Sequence, residues 1–231
     1  MHPPKLKNFY LKKIGQRGEI DVWMVDGAKI RKKIEKDFTN FGQHFRFPFI
    51  PLNEFWLDKE AVPNERYFFV EHLLVEWRLM KAGKSYSFAL RRADRREKSE
   101  RKKAGDIRGA SIRRIAAQKK AKVRLFSKTA GGISVFIVRG RLARSIFDID
   151  FTEGGHDLVY DYVPKNEVWI DNDVLARERP YIILHELYER DLMKKGLGYS
   201  SAHKKASRIE WRARRSVDFL EKNLEKLGWS K

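Results

Sequence analysis

Apolar residues fall in short runs that glycine ends, once in each half of the chain. The first run, Ile20–Val25, and the second, residues 133–138, are rich in valine, isoleucine and aromatic residues, and Gly27 or Gly140 follows them. β-Branched and aromatic residues in a run closed by glycine are typical of a strand. We therefore predict one strand at each place, followed by a short amphipathic segment that ends at an Asp-Phe-Thr sequence.

Two further apolar runs flank a short turn sequence in each half. The turn reads Pro-Leu-Asn at residues 51–53 and Pro-Lys-Asn at residues 164–166. Proline and asparagine in a short connection between apolar runs favour a tight turn. The predicted hairpins are 45–50 with 54–58 and 158–163 with 167–171.

The spacing of apolar residues then becomes helical in both halves. In the second half, one predicted helix runs through residues 179–195 and stops at the glycines that follow it, and another runs from about residue 200 to 215. Glycine commonly follows the last residue of a helix, and serine often begins the next. The first half repeats this order around Gly83.

The two halves are one segment written twice. Residues 18–97 (the first repeat) align without a gap to residues 131–210 (the second repeat) at an offset of 113, and 30 of the 80 aligned positions are identical. The order of strand, short helix, hairpin and two helices predicts an α+β fold. We expect two tandem copies of a small antiparallel sheet, each with a helical hairpin packed on one face.

The repeat also defines the expected segments of the chain. These are an N-terminal extension (1–17), the first repeat with its flank (18–100), a basic linker (101–130), the second repeat with its flank (131–215) and a C-terminal helix (216–231).

The charge is large and uneven. Lysine and arginine outnumber acidic residues by 50 to 31, a formal net charge of +19, and residues 91–124 hold 15 basic and 4 acidic residues. Such a segment indicates contact with the phosphates of nucleic acid or a nucleoprotein, and its alternative is a solvated basic linker. The residues expected to contact nucleic acid are Arg91, Arg92, Arg95, Arg96, Arg101, Lys102 and Lys103.

The chain contains no cysteine. Disulfides and thiolate metal sites are therefore excluded, and a metal would need histidine and carboxylate ligands. The N-terminus lacks the apolar run of a signal peptide, and no stretch approaches the ~18 apolar residues of a membrane span. We expect a protein that is cytoplasmic or virion-associated, is not secreted and does not bind membranes.

Histidine and glutamate recur at helical spacing in the second repeat. His185 and Glu189 are four residues apart and share a helix face, with Glu186 beside them, and His203 and Glu210 share a face of the next helix. If the two helices form a hairpin, two imidazoles and up to three carboxylates meet. Zn²⁺ accepts such ligands, and a neighbouring carboxylate can act as a general base.

Residues 181–189 read Tyr-Ile-Ile-Leu-His-Glu-Leu-Tyr-Glu, which resembles the active helix of zincin-like metallopeptidases with its His-Glu-x-x-His motif. The segment is most similar to small metallopeptidase domains of bacteriophage and mobile-element proteins. Those domains read His-Glu-x-x-Glu and carry Ala-His and a glutamate on the next helix. Ala202, His203 and Glu210 fit that continuation.

The resemblance implies a role for each residue of the set. His185 and Glu189 would be metal ligands, Glu186 the catalytic base, His203 the third ligand, and Glu210 a fourth ligand or a group that supports the ligands. Zinc is the expected ion. Because a carboxylate stands where the motif has its second histidine, other divalent metals such as magnesium or manganese also fit.

The first repeat keeps one histidine and two glutamates of this set and has leucine at the two other positions. The retained residues are His72, Glu76 and Glu97, and the leucines are Leu73 and Leu90. Because the positions of the implied base and one ligand carry leucine, we expect a degenerate, catalytically inactive first repeat. The retained residues are either structural in both repeats or a metal site without a base.

These patterns predict a metal-dependent peptidase or hydrolase that is associated with nucleic acid or a nucleoprotein. One alternative is a basic nucleic-acid-binding or phage structural protein without catalysis, in which histidine and glutamate form ordinary hydrogen-bonded pairs. Another is a metal-dependent nuclease that uses the same site. The first and third interpretations require bound metal.

Overall fold

The computed structural model describes residues 6–61, 63–104 and 114–229. The chain forms two compact units, Met1–Arg108 (the first unit) and Gly109–Lys231 (the second unit). Each unit contains one repeat, and the boundary between the units falls inside the predicted basic linker.

The first unit is a four-stranded sheet with three α-helices and a short 3-10 helix, Lys7–Phe9, in its described residues. The strands are Tyr10–Arg17 (β1), Ile20–Val25 (β2), Phe41–Gln43 (β3) and Glu54–Asp58 (β4). The helices are Gly27–Lys33 (α1), Pro63–Lys81 (α2) and Tyr86–Lys103 (α3). The strand order is β1-β2-β4-β3, in which β2 and β4 are parallel and the outer pairs are antiparallel.

The second unit repeats this topology. Its strands are Lys122–Lys128 (β5), Ser134–Val138 (β6), Gly154–His156 (β7) and Glu167–Asp171 (β8), in the order β5-β6-β8-β7. Its helices are Arg114–Ala121 (α4), Gly140–Ile146 (α5), Arg179–Lys194 (α6), Tyr199–Ala213 (α7) and Val217–Lys226 (α8). The central register is the same in both sheets, since Trp23 pairs with Trp56 and Phe136 with Trp169.

The α+β class with two tandem sheet-plus-helix units is confirmed, but the strands pair differently from the predicted hairpins. Both sheets are mixed, and β4 pairs with β3 rather than with residues 45–50. Residues 45–50 form turns after β3 that bury Phe47 and Ile50 in the core beside α1. Their apolar character therefore comes from burial in a core loop and not from a strand.

Helices cover both faces of each sheet, where the sequence predicted only one. Successive strand residues point to opposite faces, so Phe55 and Leu57 of β4 pack with Phe69 of α2, whereas Trp56 packs with Ile30 of α1. All five residues of β4 are buried for this reason. In the second unit, α6 and α5 occupy the corresponding faces.

The predicted extension and linker contain regular structure. β1 lies in the predicted extension, and the end of α3, α4 and β5 lie in the predicted linker, of which residues 105–113 are outside the described residues. β1 and β5 are edge strands with mostly exposed and partly basic side chains, a composition that suits a sheet edge and resembles a linker. α8, in the predicted C-terminal helix, buries Leu220 and Leu224 in the core of the second unit.

Among the described residues, no helix is long and apolar enough to cross a membrane.

Candidate metal site in the second unit

α6 and α7 form the predicted helical hairpin. α6 has proline in its first turn, which suits a helix start because that backbone position needs no N–H donor. Gly196 then adopts a φ of 91°, a left-handed conformation that stops the helix, and α7 begins at Tyr199. The short connection lays the histidine- and glutamate-bearing faces of the two helices against each other.

The structure brings His185, Glu189 and His203 together. Nδ1 of His203 lies 2.7 Å from Oε2 of Glu189 and 3.2 Å from Nε2 of His185, and that Nε2 is 3.5 Å from the same glutamate oxygen. His185 and Glu189 are buried, whereas the side chain of His203 is 41% exposed. The cluster therefore has two candidate ligands inside the protein and one at the surface.

These three atoms are close enough together to hold one metal ion, and zinc, the expected ion, serves for comparison. Zinc bonds of ~2.0–2.1 Å in tetrahedral geometry place two ligand atoms about 3.3 Å apart, close to the distances of 2.7–3.5 Å in the cluster. Two imidazoles and a carboxylate form a usual catalytic zinc set, which leaves one coordination position open. Shifts of a few tenths of an ångström would accommodate the ion.

Glu210 lies on the opposite side of His185 from this cluster. Its Oε2 is 2.8 Å from Nδ1 of His185, the ring nitrogen that faces away from Glu189. Arg214 donates to Glu210 at 2.8 Å and also contacts Glu178, and all three side chains are buried. Of the two roles expected for Glu210, this geometry is that of a group which orients a candidate ligand histidine and not that of a fourth ligand.

Glu186, the residue implied to be the base, is 9% exposed and lies beside the cluster. One of its oxygens is within 4.8 Å of ligand atoms of Glu189 and His156. Burial raises the pKa of Glu186 above its ordinary value, and the negative charge of Glu189 adds to this effect. A raised pKa brings a carboxyl group closer to the range in which it can both accept and donate a proton.

The charges of the cluster compensate one another. Burial alone would lower the pKa of His185, but its hydrogen bonds with Glu189 and Glu210 outweigh burial and raise the pKa well above 6.5. Burial would raise the pKa of Glu189, but hydrogen bonds with three histidines lower it below its ordinary value. In the same way, His185 and Arg214 bring the pKa of Glu210 to about 2. A cation at this site would replace protons now shared among these groups.

His156 is the residue that the sequence reasoning missed. It ends β7, is fully buried, and places Nε2 3.1 Å from Oε1 of Glu189. Helical spacing could not reveal it because it lies on a strand. Its signal in the sequence is weak: the equivalent residue of the first repeat is Gln43, which is polar and also fully buried.

The first unit contains most of the same hydrogen-bond network. His72 lies 3.0 Å from Glu97 and 3.6 Å from Glu76, and Arg101 binds Glu97 at 2.8 Å, as their equivalents do in the second unit. Burial lowers the pKa of His72, but the two glutamates outweigh it and raise the pKa to about 9. The network is therefore common to both repeats, and it is complete without the two residues that leucine replaces.

Besides His156, the two units differ at three further positions around this network. Where the second unit has Glu186, His203 and Gly154, the first has Leu73, Leu90 and Phe41. The ring of Phe41 lies 5.2 Å from that of His72, on the side that Glu186 occupies in the second unit. The equivalent region of the first unit is therefore more apolar and lacks an equivalent base.

The predicted nucleic-acid contacts lie on α3, and one of them is wrong. Arg101 is fully buried, with its guanidinium held by Glu65 and Glu97. Its partners are 36 and 4 residues away, so its position in a basic run gave no sign of burial. Arg96 and Lys103 are exposed but ion-paired with glutamates. The other predicted residues are exposed, namely Arg91, Arg92, Arg95 and Lys102.

No family model matches the sequence, and neither a curated protein nor a solved structure matches the chain. The resemblance to zincin-like domains stays a prediction, and the site is interpreted from its own geometry.

Proposed function

We propose that the second unit is a metal-dependent hydrolase of the zincin-like metallopeptidase type and that the first unit is a non-catalytic repeat of it. The observation that carries this proposal is the convergence of His185, Glu189 and His203, with a buried Glu186 beside them. Zinc is the proposed ion because two imidazoles and one carboxylate suit its catalytic coordination.

Each residue has a distinct role in the proposed reaction. When bound, the ion would act as a Lewis acid toward the scissile carbonyl group and toward water. Glu186 would accept a proton from the attacking water and deliver it to the leaving group, for which its raised pKa is suited. Glu210 would hold His185 in the correct orientation. Substrate would approach from the side of His203, whose ring is partly exposed.

The test combines metal content with hydrolysis. We expect the chain purified without added metal, or reloaded with zinc, to hold about one ion and to cleave an unstructured protein substrate. Glu186→Gln should keep the metal and lose at least ~100-fold in rate, in line with the usual contribution of a general base. His203→Leu, which introduces the residue of the first repeat, should lose the metal as well.

Glu76→Gln in the first repeat is the matched control. It changes the residue equivalent to Glu189 in a unit without the full ligand set, so metal content and rate should stay at wild-type levels. A wild-type chain that neither contains nor takes up zinc would contradict the proposal. The alternative interpretation, a scaffold protein without catalysis, would then stand.

A second candidate activity is a metal-dependent nuclease at the same site. The observation that favours it is a group of exposed cations on α7 beside His203, made up of Lys204, Lys205 and Arg208. Such cations would attract a phosphodiester substrate. Offering oligonucleotides in parallel with the protein substrate, with Glu186→Gln as the control, separates the two activities.

We also propose that the protein binds nucleic acid or a nucleoprotein through the basic faces of α3 and α7. Four exposed positions are basic in both units at the same offset of 113, although lysine and arginine exchange at three of them. They are Arg91, Arg92, Arg95 and Lys102 in the first unit and Lys204, Lys205, Arg208 and Arg215 in the second. The repeats thus share the charge while differing at the candidate base and one ligand, which indicates that the charge has a role separate from hydrolysis.

The proposed location is the cytoplasm or a virion assembled there. The support is the resemblance of residues 181–189 to domains of bacteriophage and mobile-element proteins, together with a cysteine-free composition that suits a reducing environment.

A further inference from the structure

The position of His156 is compatible with two different roles. Its Nε2 faces Oε1 of Glu189, whereas Oε2 of that glutamate faces His185 and His203. Ligand atoms of His156, Glu186 and Glu189 also lie within 4.8 Å of one another. His156 could therefore bind a second metal ion bridged to the first by Glu189, or it could donate a hydrogen bond that holds Glu189 in place.

The other ring nitrogen of His156 distinguishes these roles. The backbone N–H of Leu158 donates to Nδ1 of His156 at 3.2 Å. Nδ1 therefore carries no proton, and the neutral ring carries its proton on Nε2. An Nε2–H group donates to Oε1 of Glu189 and has no lone pair for a metal. Coordination through Nε2 with Nδ1 still accepting a hydrogen bond would require an imidazolate.

The first unit shows the same arrangement with a side chain that has no tautomers. Gln43 stands at the position of His156, and its Oε1 accepts a hydrogen bond from the backbone N–H of Phe45 at 2.7 Å. Its Nε2 donates to Oε1 of Glu76 at 2.7 Å. The Oε1 acceptor of Gln43 thus corresponds to Nδ1 of His156, and its Nε2 donor corresponds to Nε2 of His156. Only the histidine tautomer with its proton on Nε2 has this pattern of acceptor and donor.

We infer that His156 is a positioning residue, which donates from Nε2 to Oε1 of Glu189 and leaves Oε2 for a single metal ion shared with His185 and His203. This inference rests on the proposed metal-dependent function. It assigns one ion to the site and leaves Glu186 free to exchange protons with water. Support of a ligand carboxylate by a second group is common at metal sites and contributes to affinity.

The experiment compares zinc binding by the metal-free full-length wild type, His156→Gln and His156→Leu, measured by competition with a chromophoric chelator. We expect one ion per chain in each protein that binds. Affinity should change less than about threefold in His156→Gln, and it should fall by about 10–100-fold in His156→Leu, the usual cost of losing a group that orients a ligand. Glutamine can donate the hydrogen bond to Glu189 but has no imidazole nitrogen for a metal, so retained zinc affinity in His156→Gln distinguishes hydrogen bonding from metal ligation. Circular dichroism checks that both variants fold.

A second measurement does not depend on metal. Long-range ¹H–¹⁵N correlation spectra of the metal-free protein report which nitrogen of His156 carries the proton, and we expect Nε2. Protonation of Nδ1 alone would overturn the inference. The inference would also fail if the wild type bound two zinc ions per chain and His156→Gln bound only one. If the wild type bound no zinc while the Nε2–H tautomer was observed, the proposed function would fail and the hydrogen-bond role of His156 toward Glu189 would stand.

Discussion

The backbone of Gly154 lies directly against the side chain of Glu186. A β-carbon at Gly154 would come within 3.2 Å of Cγ and Oε1 of Glu186 and within 2.9 Å of Ile182. In the first unit the equivalent pair is Phe41 and Leu73, which belong to one apolar cluster. The glycine and the glutamate of the second unit therefore occupy together the space that two apolar side chains fill in the first.

This relationship predicts that substitutions at the two positions are coupled. Gly154→Phe alone should be strongly destabilising, because the new ring would displace the buried Glu186. Adding Glu186→Leu, which gives the pair found in the first unit, should recover part of the lost stability, with a coupling free energy of about 1–3 kcal/mol. Urea unfolding of the wild type, both single variants and the double variant measures this coupling. If the free-energy changes of the two single variants simply added in the double variant, the side chains at positions 154 and 186 would not compete for the same space.

A second prediction concerns the buried arginine of each unit. Arg214 neutralises Glu210 and Glu178, and Arg101 neutralises Glu97 and Glu65. Replacing either arginine with methionine removes the buried cation that two carboxylates share and leaves only a histidine beside one of them, which should cost about 3–5 kcal/mol of unfolding free energy.

The two arginine variants are controls for each other. Arg214→Met should also weaken metal binding, because it loosens the glutamate that orients His185, whereas Arg101→Met should leave metal binding unchanged. Chemical denaturation and zinc titration of both variants check this. Equal effects on zinc affinity would contradict the assignment of the metal site to the second unit.

The third prediction is a loss of stability at alkaline pH through His72. Because its folded pKa is raised from 6.5 to about 9, the stability that its protonated form contributes is fully present below pH 6.5 and is lost as the pH rises through 9. The contribution is at most about 3–4 kcal/mol, since one pKa unit corresponds to about 1.4 kcal/mol.

Comparison with His72→Phe isolates this contribution. The difference in unfolding free energy between the wild type and the variant should be larger at pH 6 than at pH 9.5. A difference that does not depend on pH would show that folding does not raise the pKa of His72.

The sequence predicted those features that depend on neighbours along the chain. The spacing of His185 and Glu189 put them on one helix face, and the glycines that end the helices produced the hairpin that brings His203 to them. Gly83 and Gly196 have left-handed φ values of 78° and 91°, which agrees with their predicted role as helix stops.

The features that were missed depend on residues far apart in the sequence. The contact of His156 with Glu189 joins a strand to a helix 33 residues later, and no periodicity connects them. Arg101 was assigned to a solvent-exposed basic run because its partner Glu65 lies on another helix. Residues 45–50 were predicted to be a strand because burial in a core loop and burial in a strand require similar apolar composition.

The last prediction tests the basic faces of α3 and α7. If they bind phosphates, affinity for DNA should fall steeply with salt and depend little on base sequence, because the cations alternate with few exposed aromatic residues. Neutralising four exposed residues of one face should flatten the slope of log affinity against log salt by about 3, since each lost contact removes ~0.7–0.9. The sets to be changed to glutamine are Arg91, Arg92, Arg95 and Lys102 on α3, and Lys204, Lys205 and Arg208 on α7 together with Arg215, two residues after the end of α7.

A control variant removes the same number of charges elsewhere. Changing the exposed Lys12, Lys194, Lys222 and Lys226 to glutamine lowers the net charge equally but leaves both helix faces intact. Its salt slope should therefore stay close to that of the wild type, because phosphate contacts release counterions and a distant charge does not. If all three variants changed the slope equally, the net charge of +19 would attract nucleic acid without a defined surface. Undiminished binding in the α3 and α7 variants would contradict the proposed interface.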